Sequence, residues 1–171
     1  MTERIGFIGL GVMGRPMAQN LLARGFSVVV HSRSRGPVDE LVAAGAQAAK
    51  TPADVARQSA IVVTMVPDSP DVEAVLEGAD GVFAALAPGS LIIDCSTIAP
   101  AVARRLAARA AELGSAMIDA PVSGGEVGAK SASLSIMIGG DASAVERARP
   151  VLEAMGNQER IVHIGPSGSG Q

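Results

Sequence analysis

Gly9, Gly11 and Gly14 stand at the spacing G-x-G-x-x-G, between an apolar run, Arg4-Ile5-Gly6-Phe7-Ile8, and a helix-like stretch from Met13 to Leu22. Each glycine of such a turn answers its own physical demand. The first permits a tight strand-to-helix turn, the second lets a pyrophosphate approach bare backbone, and the third lets the helix pack closely on the strand. The helix start adds free N–H groups and the positive end of the backbone dipole, both of which attract phosphate oxygens. In a chain with 20 glycines the spacing alone is weak evidence. Its place at a strand–helix junction that opens a βαβ unit is what points to a dinucleotide.

The end of the second apolar run bears on which dinucleotide fits. A carboxylate there would hydrogen-bond a ribose 2′-hydroxyl and repel a 2′-phosphate. The chain instead reads His31-Ser32-Arg33-Ser34-Arg35. Arg33 is suited to bidentate pairing with a phosphate, and Ser32 and Ser34 offer hydroxyl donors. That favours NADP, with NAD possible; solvated surface charge at Arg33 and Arg35 is the other reading.

Three more strand ends carry polar chemistry: Val66-Pro67-Asp68, Asp94-Cys95-Ser96-Thr97 and Asp119-Ala120-Pro121-Val122-Ser123-Gly124-Gly125. The carboxyl edge of an open α/β sheet is where its ligands sit. Backbone groups there, with the Ser96 and Thr97 hydroxyls, are placed to surround a nicotinamide-ribose. Equally, Pro67 and Pro70 could only shape a turn and Thr97 only cap a helix. Successive N–H groups around Ser123-Gly124-Gly125 make a concavity suited to a carboxylate; an ordinary glycine-rich turn is the alternative.

Positioning these ends requires alternating strands and helices. Expected strands are Ile5–Ile8, Ser27–His31, Ile61–Val66, Leu91–Asp94, Ala116–Asp119, Leu134–Ile138 and Ile161–Ile164, several of them continuously apolar as in a sheet covered on both faces. Expected helices run from Met13 to Arg24, Val38 to Ala44, Thr51-Pro52 onward with Asp54 at capping-box distance, Ser69 to Leu76, Ala101 to Leu113, and from an Asp141 cap to Met155. Gly124, Gly125 and Gly128 read as loop. The rhythm implies an α/β fold, a Rossmann-type doubly wound and mostly parallel sheet with helices on both faces.

The 171 residues fit one ordinary domain, and a hydrophobic share of 48% supplies its core. Aromatics make up 2% of the chain and the net charge is −3, a poor match to base stacking or a basic field, so no nucleic-acid partner is expected. One cysteine, Cys95, excludes an internal disulfide and any all-cysteine metal site, and no metal ligand set stands out. No apolar stretch approaches a membrane span. The N-terminus runs directly into the first strand, leaving no room for a signal peptide. A cytoplasmic protein without a membrane partner is the expectation.

Taken together, Phe7-Ile8-Gly9-Leu10-Gly11-Val12-Met13-Gly14, Pro16-Met17, Asn20-Leu21, Met65-Val66-Pro67-Asp68, Asp94-Cys95-Ser96-Thr97, Asp119 through Gly125, Gly128-Ala129 and Ile136-Met137-Ile138-Gly139-Gly140 resemble the N-terminal NAD(P)-binding domain of the β-hydroxyacid dehydrogenases. That family includes 3-hydroxyisobutyrate dehydrogenase, tartronate semialdehyde reductase and, more distantly, 6-phosphogluconate dehydrogenase. The motifs occur in family order across nearly the whole chain. Ala132-Ser133-Leu134 departs from the family's usual Gly-Thr-Leu.

The resemblance implies that Gly9, Leu10, Gly11, Val12, Met13 and Gly14 hold the pyrophosphate and that Ser32, Arg33 and Ser34 hold the adenosine ribose. It places Val66, Pro67, Asp71 and Thr97 along the cofactor, and Ser123, Gly124 and Gly125 on the substrate. The implied reaction is reversible hydride transfer between NADP(H) or NAD(H) and a small 3-hydroxyacid or its semialdehyde. The family's catalytic lysine follows a His-x-Gly-x-x-Gly-x-Gly-Gln lead-in, present here as His163, Gly165, Gly168, Gly170 and Gln171. It is expected beyond Gln171, so no residue of the chain is assigned as catalytic. Lys50 and Lys130 match no family position, and His31, His163 and Cys95 read as structural.

Residues 1–164 are thus expected to form the dinucleotide-binding domain and 165–171 the lead-in to a helix joining an all-helical second domain. By this reading the chain is cut before that helix, inactive alone, and prone to form a homo-oligomer through surface the second domain would cover. A frayed terminal tail is the plainer account of 165–171. A non-catalytic nucleotide-sensing or interaction domain and a fragment of an imine reductase are the competing functional readings; the Asp119–Gly125 segment argues against the latter.

Overall fold

The structure, a computed structural model, describes residues 3–171. Strand and helix alternate as β1 (Ile5–Ile8), α1 (Gly14–Ala23), β2 (Val28–His31), α2 (Arg35–Ala43), β3 (Gln47–Ala48), α3 (Pro52–Arg57), β4 (Ile61–Thr64), α4 (Ser69–Glu77), β5 (Leu91–Asp94), α5 (Pro100–Glu112) and β6 (Ala116–Asp119). Then follow β7 (Val122–Ser123), α6 (Gly125–Lys130), β8 (Leu134–Gly139), α7 (Ala142–Met155) and β9 (Gly156–Gly165). The strands form one sheet in the order β3-β2-β1-β4-β5-β6-β8, with β7 and β9 also on β8. The pairs from β3 to β6 are all parallel, while β8 runs antiparallel to β6 and β7 and parallel to β9. The first six strands thus have the 3-2-1-4-5-6 order of a dinucleotide-binding sheet, whose direction of winding reverses between β1 and β4.

Strand residues alternate between two buried layers, because successive side chains leave a strand on opposite faces. Ile5, Phe7, Val28, Val30, Ile61, Val63, Leu91, Ile93 and Ile118 face the layer completed by Met17 and Leu21 of α1, Leu41 of α2 and Val151 and Leu152 of α7. Ile8, Val29, Val62, Ile92 and Met117 face the other, completed by Val55 of α3, Val72 and Leu76 of α4 and Leu106 of α5. Each fully buried side chain of this size is worth roughly 1.5–3 kcal/mol, so both layers are needed to hold the sheet rigid beneath its functional edge.

Several boundaries differ from the sequence reading for identifiable reasons. β4 ends at Thr64 rather than Val66, because the chain turns away to build the loop ahead of α4. The Val38 helix starts earlier, at Arg35, and Gln47–Ala48 adds a strand too short to leave a sequence pattern. Residues 125–130, read as loop, form α6 with Gly124 as its N-cap. The two glycines of α6 do not prevent it, and Gly128 packs closely on β8: a Cβ there would lie 3.2 Å from Leu134 Cδ2, which would have to shift slightly. Asp141 occupies the N-cap of α7 but makes no side-chain cap bond, and β9 begins at Gly156, well before Ile161. Thr51 does cap α3, its Oγ1 accepting the Asp54 N–H at 3.1 Å. Asp54 itself pairs with Arg57 instead of reaching back to close a capping box. Ala132 has φ of 53°, the left-handed region glycine tolerates best, at the position of the family's usual glycine.

Candidate dinucleotide site

The turn from β1 into α1 is built by steric exclusion. Gly9 has φ of 98°, and a Cβ on it would lie 2.1 Å from the Met65 carbonyl oxygen. At Gly14 a Cβ would meet the Gly9 carbonyl oxygen at 1.8 Å and Phe7 Cε1 at 3.2 Å. Only hydrogen fits at either place. A Cβ at Gly11, by contrast, would meet nothing within 4 Å. Its freedom from side chain serves the open space above it, which is where bare backbone can meet a ligand. No side chain caps the start of α1, so its leading N–H groups are not supplied with a side-chain acceptor.

That open space is a groove of about 720 Å³ along the carboxyl ends of β1, β2, β4 and β5. Gly9, Leu10, Gly11, Val12, Met13 and Gly14 line it from the glycine turn, and Ser32, Arg33 and Ser34 from the end of β2. Val66, Pro67, Asp71 and Thr97 line it from the ends of β4 and β5. Val75 of α4 also lines it, and no feature of the sequence separates it from ordinary core valine. Ser32 links two of these walls, its Oγ accepting the Leu10 N–H at 3.4 Å. The Arg33 guanidinium, largely exposed, forms an ion pair with the Asp71 carboxylate.

Ser123, Gly124 and Gly125 lie outside this lining, exposed at the junction of β7 and α6. Their support runs back to the glycine turn's helix: Asn20 Nδ2 of α1 donates to the Ala129 carbonyl of α6 at 2.7 Å. Lys130 pairs with Glu126 at 2.7 Å and Lys50 is exposed; neither lines the groove. Cys95 is buried, and burial, with the neighbouring Asp94, pushes its thiol far above the ordinary range, so it holds its proton. His31 and His163 touch main-chain carbonyls, of Ala49 and of Gly140 and Gly165 respectively. No cluster of metal-ligating side chains occurs among the described residues, and none of their helices is long and apolar enough to cross a membrane.

Behind the groove lies a polar network that the sequence did not disclose. Ser96 Oγ accepts the Val66 N–H at 3.0 Å, holding the β4 loop against β5. Asp94 Oδ1 accepts from Thr64 Oγ1 at 2.8 Å and from the Ser96 N–H at 3.1 Å. Gln171 joins from the far end of the chain, its Nε2 donating to the Ser96 carbonyl at 3.1 Å and its Oε1 accepting the Ile98 N–H at 3.0 Å. Next to it Asp119 accepts the Gly168 N–H on Oδ1 at 2.7 Å and the Gly170 N–H on Oδ2 at 2.9 Å. The terminal segment is thereby stitched to the ends of β5 and β6. Asp119→Ala should strip two buried amides of their acceptor and cost about 2–4 kcal/mol in denaturant titration. Amide exchange at Gly168 and Gly170 should accelerate with it; unchanged exchange would mean the carboxylate does not hold the segment.

A parallel sheet of this strand order, with a glycine turn at its reversal point and a groove along the carboxyl edge, defines a dinucleotide-binding α/β domain. Residues 4–165 match the NAD binding domain of 6-phosphogluconate dehydrogenase, and the chain belongs to that family. It is 50% identical over 99% of its length to the NAD-dependent L-serine dehydrogenase of Pseudomonas aeruginosa and 46% identical over 98% to the 2-hydroxy-3-oxopropionate reductase of Escherichia coli. In each case it spans 56% of the relative. A solved structure of Mycobacterium tuberculosis 3-hydroxyisobutyrate dehydrogenase with L-serine superposes with a TM-score of 0.91 at 38% identity, covering 99% of this chain and 57% of that one. The chain thus spans little more than half the length of the oxidoreductases it resembles.

Proposed function

We propose that the chain is the cofactor-binding half of a β-hydroxyacid dehydrogenase, holding NADP in preference to NAD while a small 3-hydroxyacid or its semialdehyde is oxidised or reduced. The observation that carries this reading is the open backbone at Gly11, beside an α1 start without a side-chain cap and facing a groove walled by four strand ends. Nicotinamide, when bound, supplies the hydride acceptor or donor. The chain's own residues bind and orient: Gly9 to Gly14 toward the diphosphate, Ser32, Arg33 and Ser34 toward the adenosine ribose, and Val66, Pro67, Asp71 and Thr97 along the cofactor. Ser123, Gly124 and Gly125 take the substrate's carboxylate or hydroxyl. Residues 165–171 serve as the lead-in to the interdomain helix, and the proton donor belongs to that helix.

By this reading the 171-residue chain binds cofactor without appreciable turnover. Calorimetry with NADPH and NADH tests the binding; absence of heat and of any melting shift with both would overturn it. A cofactor-dependent rate on hydroxyacids would overturn the inactivity. Arg33→Ala tests the preference: NADPH binding should weaken about tenfold, the loss of one charge-assisted phosphate contact, while NADH binding changes less than about twofold. Equal losses would mean that Arg33 does not read the 2′-phosphate.

A further inference from the structure

The groove carries a carboxylate where the β2 end has none. Asp71 lies in the first turn of α4, on the element that follows β4, and it lines the same groove as Arg33 at the end of β2. The two side chains meet as an ion pair across residues far apart in sequence. Their environments differ: the Arg33 side chain is 78% exposed, whereas that of Asp71 is 26% exposed, backed by the turn in which its own N–H donates to the Asp68 carbonyl at 3.1 Å. Asp71 is the more buried member of the pair and Arg33 the more exposed. Asp68 is engaged separately, accepting the Ser69 N–H at 2.7 Å as the cap of α4, and so does not compete for the guanidinium.

Resting on the dinucleotide reading, we propose that Asp71 is a specificity-determining residue: it holds Arg33 in the groove and competes with the 2′-phosphate of NADP for that guanidinium. The pair engages Nη2 of Arg33 with Oδ1 of Asp71, so a phosphate that pairs through that nitrogen competes with the carboxylate for it, and one that pairs through the other N–H groups still shares the guanidinium charge with Asp71. A 2′-phosphate must therefore either displace Asp71 or tolerate its negative charge nearby. NAD bears no 2′-phosphate and meets neither obstacle. The carboxylate that other dinucleotide-binding domains carry at the end of their second strand is here supplied from α4, and its effect is graded because an arginine stands between it and the ligand. The pair narrows a preference that Arg33 alone would make steep.

The test is calorimetric titration of NADPH and NADH into the 171-residue chain and its Asp71→Asn, Arg33→Ala and doubly substituted forms. Asp71→Asn should tighten NADPH about three- to tenfold, the range expected for freeing one largely exposed arginine and removing a nearby like charge, with NADH altered less than about twofold. In the Arg33→Ala background the same substitution should give at most about half of that gain in free energy, since nothing remains to compete for and only the repulsion is relieved. A change in melting temperature from the altered first turn of α4 would act on both nucleotides alike and so leave their ratio untouched. An unchanged ratio, or an equal NADPH gain with and without Arg33, overturns the competition while leaving dinucleotide binding intact. Failure of the unsubstituted chain to bind either nucleotide takes down the dinucleotide reading and this inference with it.

Discussion

Gly11→Ala should leave the fold intact and remove most of the cofactor affinity, whereas Gly14→Ala should damage the fold itself. The contrast follows from where each missing Cβ would go. At Gly11 it would enter open space, meeting no atom of the described residues within 4 Å beyond its chain neighbours, so the melting temperature should change by less than about 2 °C. That methyl group would stand where a diphosphate must approach the backbone, and NADPH binding should weaken by at least about tenfold. At Gly14 the added carbon would sit 1.8 Å from the Gly9 carbonyl oxygen, and β1 and α1 would have to separate. Strain of this kind costs about 3 kcal/mol, or roughly 10 °C in a domain of this size. Thermal melting and calorimetry on the two variants decide the matter. Comparable destabilisation by both would mean that all three glycines are structural. Unaltered binding in Gly11→Ala would place the diphosphate elsewhere.

The same glycines show how far the sequence could be read. Spacing at a strand–helix junction is a local signal, and so are the continuous apolar runs of β1, β4 and β5; each survives in a single stretch of chain. The gathering of the strand ends onto one edge follows from the βαβ rhythm, because right-handed crossovers leave few other arrangements. What was not legible is what depends on contact between distant stretches. α6 reads as loop in the sequence because glycine is a poor helix former, yet Gly128 packs closely against Leu134 and Asn20 reaches across to the Ala129 carbonyl. β3 is only two residues long and exists because β2 offers it an edge. Asp119 and Gln171 have no spacing rule to connect them with their partners, since Gly168 and Ile98 are brought to them only by the completed sheet. Arg33 lines the groove, but its ion pair with Asp71 joins the end of β2 to the first turn of α4, which only the fold makes neighbours.

Asp94 offers the largest pH effect. It is fully buried at the end of β5, one oxygen accepting from Thr64 and Ser96 and the other without a partner among the described residues. Burial raises its carboxyl from 3.8 to about 6. The hydrogen bonds from Ser96 and Thr64 work against that rise, and the charge of Asp119, its register partner on β6, adds to it. The sign is fixed by the direction of the shift: the folded state binds this proton more tightly than the unfolded chain does. The stabilisation is therefore full below about pH 4 and is lost as pH rises through about 6. Between pH 4 and pH 7.5 the loss from this one group is about 2 kcal/mol. Asp94→Asn cannot lose a proton, and its amide oxygen can still accept from Thr64 and Ser96. The variant should consequently gain about 2 kcal/mol on the native protein between those two pH values, whatever offset the unpartnered amide nitrogen imposes at both. Urea titrations of the two proteins at each pH measure that double difference. A difference independent of pH would show that Asp94 is equally willing to ionise in the folded and unfolded chains.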